Sequence, residues 1–377
     1  MKTSRNDEEE FFRETTAKFL TEFVPPARLR TLRDDLVGFD RDYWRKGAEL
    51  GWTALLVSEA AGGGSITGNG LADLTLVAHE FGTHAAPGPL VSSAIVAGAL
   101  SGAGGHEDAL GSILAGTAIA SWGVAEGLPF AEFGRLGVTI DSDGDNIVIN
   151  GTKRAVESGG VADYVLVTGR AGAGVSQALV PVNTPGVAVT AMHSVDLTRR
   201  FSAVAFDNVR MSSSALVGEA GAAAAAFERQ LNQALVLSTA ESVGAMQQAF
   251  DITVEWAFDR YSFGRPLASY QALKHRYADM KAWLEASHAI VDEAALAVGS
   301  GAVHGGELAS AAKSFAGQYG SELLQDCVQL HGGLGVTYEH DIHLFLRRHT
   351  LNRSLFGTPA QHNVRLGAIA RDNEAAA

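Results

Sequence analysis

The sequence predicts a mixed α+β protein made of an α-helical region, then a β-region, then a bundle of long helices. Apolar residues recur at helical spacing up to about residue 115, with a period of two from about 116 to 216, and again at helical spacing over longer runs to the end. We therefore expect an N-terminal helical domain at 1–115, a middle β-domain at 116–216 and a C-terminal helical bundle at 217–377.

The first helix is indicated by phenylalanines on one face. Phe11, Phe12, Phe19 and Phe23 follow helical spacing, and the pair of prolines that begins at Pro25 closes the helix. The first 115 residues are therefore expected to be helical.

The middle region alternates apolar and polar residues between turn-forming segments at 143–145 and 183–186. The predicted strands are Gly137–Ile140, Asn146–Ile149, Tyr164–Thr168, Ala178–Val182, Val187–Met192 and Ala203–Phe206. Because no helical pattern interrupts them, we expect an antiparallel sheet folded as a barrel or a sandwich.

The last region contains four long stretches of helical periodicity with short connections. The predicted helices are Ala222–Tyr261, Tyr270–Val298, Glu307–His331 and Ile342–Phe356, followed by a short terminal helix. Long helices with short connections are typical of a four-helix bundle.

Composition excludes several classes of function. A formal net charge of −13 argues against a nucleic-acid partner. The single cysteine, Cys327, allows no internal disulfide, and the acidic N-terminal stretch lacks the apolar core of a signal peptide. No apolar run reaches membrane-spanning length, so we expect a cytoplasmic protein without a membrane span.

Two segments near the end of the chain carry a family resemblance. FDRYSFGRPLASYQALKHRYADM (Phe258–Met280) and QLHGGLGVTYEHDIHLFLRR (Gln329–Arg348) resemble signature segments of the acyl-CoA dehydrogenase family, as do VDLTRRFSAVAFDNVRM and ALVGEAG. These motifs follow the family's order, so the chain resembles the family over nearly its whole length. The resemblance implies the acyl-CoA dehydrogenase fold, with a C-terminal bundle that mediates a dimer of dimers.

The resemblance also implies bound FAD and assigns residues to it. A guanidinium can grip a diphosphate in a bidentate manner, and an aromatic ring can cover the adenine or the flavin edge. The positions that contact the FAD of a neighbouring subunit in similar proteins are Arg260, Ser262, Phe263, Leu267 and Gln271, with Gln329, Gly332 and Gly333 reaching the diphosphate. Thr358 is the expected hydrogen-bond donor to FAD, and Trp122 and Val124 are the expected neighbours of the flavin ring.

Each of these assignments has an alternative in which the residue has only a structural role. Arg260 could pair with Asp259 on the surface, and Gly332 and Gly333 could be an ordinary helix C-cap. His340 and His343 have helical spacing, but no further ligand accompanies them, so we predict no metal.

The catalytic base is missing from its usual place. Dehydrogenation of an acyl thioester needs a carboxylate facing the flavin, and the family commonly carries it in a Tyr-Glu-Gly-Thr string. Here that string reads Leu355, Phe356, Gly357, Thr358, and a second family location falls on Ala234. The backbone N–H of Phe356, beside Gly357, is still expected to hold the thioester carbonyl.

Glu241 is the predicted base. Its same-face neighbours include Ser238, Gly244 and Ala245, which are small and would leave room for a wide substrate. A glutamate in an Ala-Glu-x-Val-Gly setting also resembles actinobacterial family members that act on bulky or sterol side-chain acyl-CoA thioesters. The alternative is that Glu241 pairs with an arginine or lysine across the bundle.

Two ring-lining strings also depart from the family. A Thr-Glu-Pro-Gly string is replaced by residues 124–127 and a Trp-Ile-Thr string by Ala155, Val156 and Glu157. These departures predict weakened FAD binding in a homo-oligomer, which a different partner chain could make good.

The predicted function is therefore FAD-dependent α,β-dehydrogenation of an acyl-CoA, with an electron-transferring flavoprotein as electron acceptor and a homo- or hetero-tetramer as the assembly. One alternative is a half-competent subunit that joins a related chain in a mixed tetramer. Another is a flavin-dependent oxygenase or a biosynthetic desaturase on the same scaffold.

Overall fold

The N-terminal region of the computed structural model is helical, as predicted. The structure describes residues 6–127, 136–172 and 174–376. The helices of this region are α1 (Asp7–Phe23), α2 (Pro26–Thr31), α3 (Arg41–Glu49), α4 (Gly70–Thr83), α5 (Leu90–Ala103) and α6 (Glu107–Leu114). Asn6 and Glu9 form a capping box that begins α1, and Pro26 occupies the first turn of α2, where its missing N–H costs nothing.

The middle region is a seven-stranded sheet. Its strands are β1 (Ala120–Gly123), β2 (Thr139–Asp143), β3 (Asn146–Glu157), β4 (Tyr164–Ala171), β5 (Gly174–Pro181), β6 (Val187–Met192) and β7 (Phe201–Ser212). The strand order is β1-β4-β2-β3-β7-β6, with β5 paired to β4. The bounds of β6 agree with the prediction, whereas β3 and β7 extend well past their predicted bounds.

The sheet differs from the predicted antiparallel arrangement at β4, where it contains parallel pairing. β1, which the sequence pattern did not reveal, pairs with β4 in parallel, and β2 makes one parallel contact with β4. Parallel neighbours need a long crossover connection. β2 and β3 lie between β1 and β4 in the chain and provide it.

The C-terminal region is a helical bundle. Its helices are α7 (Ala224–Asp259), α8 (Gln271–Gly299), α9 (Gly305–Leu330), α10 (Ile342–Ser354) and α11 (Pro359–Ala376). A two-residue hairpin, β8 (Tyr261–Ser262) and β9 (Arg265–Pro266), connects α7 to α8. α7 lies at the centre, packed against α4, α8, α9 and α10.

Two glycines bring the first and last regions into close contact. A Cβ on Gly82 of α4 would lie 1.9 Å from the carbonyl oxygen of Glu241, and one on Gly244 of α7 would lie 2.0 Å from the carbonyl oxygen of His79. Only glycine permits this helix crossing, because any side chain would overlap the opposite backbone.

Among the described residues, no helix is long and apolar enough to span a bilayer.

Candidate functional site

Glu241 lies in a buried network of ion pairs. Both of its carboxylate oxygens accept hydrogen bonds from Arg199 Nη1, at 2.9 and 3.1 Å. Arg348 Nη1 donates to Oε1 at 2.7 Å, and Asn352 Nδ2 donates to Oε2 at 2.7 Å. The prediction that Glu241 lies on a largely apolar surface is therefore wrong, because two guanidinium groups hold its carboxylate. The alternative, in which Glu241 pairs with an arginine across the bundle, is the arrangement observed.

The small neighbours of Glu241 also have a structural use. Gly244 was expected to leave room for a wide substrate, but the backbone of α4 fills that space at the helix crossing. Space beside Glu241 is thus occupied by protein.

Arg348 joins all three regions of the chain. Its Nη2 donates to the carbonyl oxygens of Ala85 at 3.0 Å and Ala86 at 2.9 Å, and its Nε contacts the carboxylate of Asp196. Arg348 has no measurable exposure. The sequence did offer a signal for it, because Arg348 follows Phe345 on the buried stripe of α10, and a charge at such a position requires a buried partner.

The usual base position is occupied by an aromatic cluster. The ring of Phe356 lies 5.7 Å from that of Trp122, and Trp122 lies 6.1 Å from Phe227, between ring centroids. Phe356 has a positive φ of 59°, a conformation that non-glycine residues rarely adopt. The predicted ring neighbour Trp122 and the predicted substrate contact Phe356 are thus brought together, in direct contact with each other.

The strand face beside this cluster is tightly closed. Val124 is buried, and its carbonyl accepts a hydrogen bond from the buried Lys153, which also pairs with Glu126. Burial lowers the pKa of Lys153, although Glu126 opposes that shift. Glu157, at the position of the family's threonine, accepts a hydrogen bond from Ser92 at 3.1 Å and contacts Arg199.

A second group of predicted residues forms an exposed edge. Phe263 is 98% exposed and has a φ of 50°, and Arg260 lies at the end of α7 with its guanidinium over the Trp256 ring. The amide of Leu267 donates to the backbone carbonyl of Arg260 at 2.9 Å, and the hydroxyl of Tyr270 donates to the backbone carbonyl of Ser262 at 2.7 Å. These bonds fix the hairpin, so Phe263 projects from a rigid support.

Most of the remaining residues predicted to contact the cofactor are exposed, whereas Thr358 already has a hydrogen-bond partner within the chain. Gln271, Gln329, Gly332 and Gly333 are exposed. Gly332 has a φ of 61°, and a Cβ at this position would have no described atom within 4 Å, so its backbone is open to approach. The amide of Thr358 instead donates to Gln361 Oε1 at 2.8 Å.

His331, His340 and His343 cluster near this edge. Burial lowers the pKa of His340, and the neighbouring His331 adds to the shift. In the described part of the chain, no group of three or more histidine, cysteine or acidic residues is arranged to hold a metal ion.

Family comparisons agree with this architecture. Residues 6–109 match the model of the acyl-CoA dehydrogenase N-terminal domain, and residues 221–372 match that of the C-terminal domain. Acyl-CoA dehydrogenase IpdE2 of Mycolicibacterium smegmatis is 30% identical over 96% of this chain and 99% of its own length. The chain belongs to the acyl-CoA dehydrogenase family.

Further relatives are also acyl-CoA dehydrogenases, which are oxidoreductases. The mitochondrial long-chain specific acyl-CoA dehydrogenase of Sus scrofa is 27% identical over 89% of this chain and 80% of its own. A variant of the Tcur3481-Tcur3483 steroid acyl-CoA dehydrogenase is 27% identical and superposes with a TM-score of 0.88, covering 98% of this chain and 99% of that one. The predicted family and fold class are therefore confirmed.

The two parts of the site differ in their fit to FAD, the cofactor of the family. At the ring face, Phe356 packs on Trp122, and the family's threonine is replaced by the buried Glu157, which contacts Arg199. Among the described residues, the buried indole N–H of Trp122 has no acceptor, and this face has no free carboxylate to act on a thioester. The ring face of this chain therefore does not fit a flavin with bound substrate, whereas the exposed edge offers the guanidinium of Arg260 and the ring of Phe263.

Proposed function

We propose that this chain is one of two kinds of subunit in a mixed acyl-CoA dehydrogenase. In this assembly its exposed edge, formed by Arg260, Phe263, Gly332 and Gly333, completes the FAD site of a related subunit that supplies the catalytic carboxylate. The packing of Phe356 against Trp122 carries the proposal, because it places an aromatic pair where the reaction needs a base and a flavin.

The exposed edge supports the second half of the proposal. A phenylalanine that is almost fully exposed, on a strained backbone and a fixed hairpin, is costly unless a partner covers it. Arg260 and the open backbone at Gly332 offer the charge and the amides that suit a diphosphate.

The substrate we propose is a bulky acyl-CoA thioester, with an electron-transferring flavoprotein as electron acceptor. Support for a bulky acyl group comes from the likeness to the steroid enzyme Tcur3481-Tcur3483, whose designation names two components. Binding of a shared flavin would explain why the departures at residues 124–127 and 155–157 are tolerated.

Flavin content tests the proposal. We expect the purified chain to be nearly colourless, and a complex formed by co-expression with a related acyl-CoA dehydrogenase chain to be yellow and to bleach when acyl-CoA is added. An isolated chain that binds FAD stoichiometrically and bleaches by itself would overturn the proposal. Oxygen consumption that tracks product formation would instead indicate an oxygenase.

A double substitution, Arg260→Ala with Phe263→Ala, probes the exposed edge. We expect it to lower the flavin content of the mixed complex several-fold, because a charge-assisted contact and an aromatic contact are both lost. Lys274→Ala, on the exposed side of α8, is the matched control and should leave the flavin content unchanged. Size-exclusion chromatography shows whether the complex stays assembled, so that loss of flavin is separated from loss of the partner.

A further inference from the structure

The buried network contains an odd number of charged groups. Asp196, Glu157 and Glu241 supply three carboxyl groups, whereas Arg199 and Arg348 supply two guanidinium groups, and all five residues are at most 5% exposed. Arg348 bridges Asp196 and Glu241, and Arg199 bridges Glu241 and Glu157.

Charge balance singles out Glu157. Arg348 and Arg199 are neutralised in sum by Asp196 and Glu241, so an ionised Glu157 would leave one net negative charge inside the protein. An uncompensated buried charge costs several kcal/mol, and a carboxyl group avoids this cost by keeping its proton. Glu157 lies at the end of the chain of ion pairs and shares Arg199 with Glu241.

The surroundings of Glu157 agree with this assignment. From α5 it faces the hydroxyl of Ser92, from the segment before β7 it faces Arg199, and from α7 it faces Glu241. Burial raises the pKa of Glu157, and the negative charge of Glu241 adds to the shift, while Arg199 opposes it. Burial alone would also raise the pKa of Asp196, but the ion pair with Arg348 holds it below its ordinary value.

We propose that Glu157 keeps a proton in the folded protein near neutral pH, and that loss of this proton loosens the contact between the β-domain and α5. Loss of the proton would leave an uncompensated negative charge where the end of β3 meets Ser92 of α5. Opening this contact to water would relieve the cost of that charge. This inference is independent of the proposed function.

A surface cleft approaches Glu157 but does not reach it. A cleft of about 690 Å³ lies between residues 33–37 and the β6–β7 region, and Ser158 and Arg199 line it. The same two residues border the narrow space beside Glu157. Ser158 has a φ of 54°, so the backbone turns sharply after Glu157.

The expected pH dependence follows from the direction of the shift. A carboxyl group whose folded-state pKa is raised contributes stability that is fully present below its unfolded pKa and is lost as the pH rises through the folded pKa. Above the ordinary value of 4.5, Glu157 therefore makes the protein less stable as the pH increases.

Glu157→Gln tests the proposal by infrared spectroscopy. The difference spectrum between wild type and this variant at neutral pH should contain the C=O stretch of a protonated carboxylic acid. Glu80→Gln is the matched control: Glu80 is also buried but pairs with Arg13, which with His79 holds its pKa below the ordinary value, so no such band should be lost. Absence of the band in the Glu157 difference spectrum would overturn the assignment.

Hydrogen exchange tests the loosening of α5. As the pH rises above neutral, the protection factors of the α5 amides in wild type should fall relative to those of the same amides in Glu157→Gln. Equal behaviour of the two proteins, or a urea midpoint that Glu157→Gln lowers equally at every pH, would show that the proton does not control this contact.

Discussion

Replacement of Arg348 by alanine is expected to lower the free energy of unfolding by about 3–5 kcal/mol. Removal of one partner from a buried ion pair leaves the other charge without compensation. Here Asp196 and Glu241 would both lose a guanidinium group, and the carbonyl groups of Ala85 and Ala86 would lose their donor. Urea denaturation followed by circular dichroism measures the change.

The neighbouring Arg347 provides the control. It donates to the carbonyl of Val195 at 3.0 Å and to the hydroxyl of Tyr338, and it is partly exposed. Arg347→Ala should cost about 1 kcal/mol or less, since partly exposed polar contacts contribute little. If the two variants were equally stable, the buried network would not join the domains as described.

Replacement of Lys313 by methionine is expected to stabilise the protein by about 2–4 kcal/mol at pH 7. Lys313 is 2% exposed on α9, and the partner of its ammonium group is the neutral carbonyl oxygen of Asn352. Burial lowers the pKa of Lys313 to about 7 from an ordinary 10.5, and the positive charge of Arg353 adds to the shift. One unit of pKa corresponds to about 1.4 kcal/mol, and methionine fills a similar volume without a charge.

The sign of the pH dependence distinguishes this effect from simple repacking. A group with a lowered folded-state pKa contributes stability that is present above its unfolded pKa and is lost as the pH falls through the folded pKa. The wild-type protein should therefore gain stability from Lys313 between pH 7 and about 10, and Lys313→Met should lack this gain. Lys281→Met, at an exposed position paired with Glu285, should keep it.

Much of the fold could be predicted because the patterns that define it are local. Period and turn residues located β6, and helical spacing located α8 and α9 to within two residues of their observed ends. β1 escaped prediction because it has only four residues, and its pairing with β4 depends on chain segments far away in sequence.

The role of Glu241 could not be predicted from its own helix. Its partners Arg199, Arg348 and Asn352 come from segments that are 42 to 111 residues away in sequence, so its same-helix neighbours gave a false picture of an apolar surface. By contrast, the exposed position of Phe263 is set locally, because this residue lies on a short hairpin formed by its own sequence neighbours.

The crossing of α4 and α7 at Gly82 and Gly244 has a consequence for biosynthesis. The whole β-domain separates these helices in the chain, so α4 leaves the ribosome well before α7 has been translated. Until then the face of α4 that packs on α7, which includes Gly82, has no permanent cover. The packing of the amino-terminal helices therefore stays incomplete in the nascent chain until α7 has been synthesised. During that time their apolar surface is accessible to chaperones.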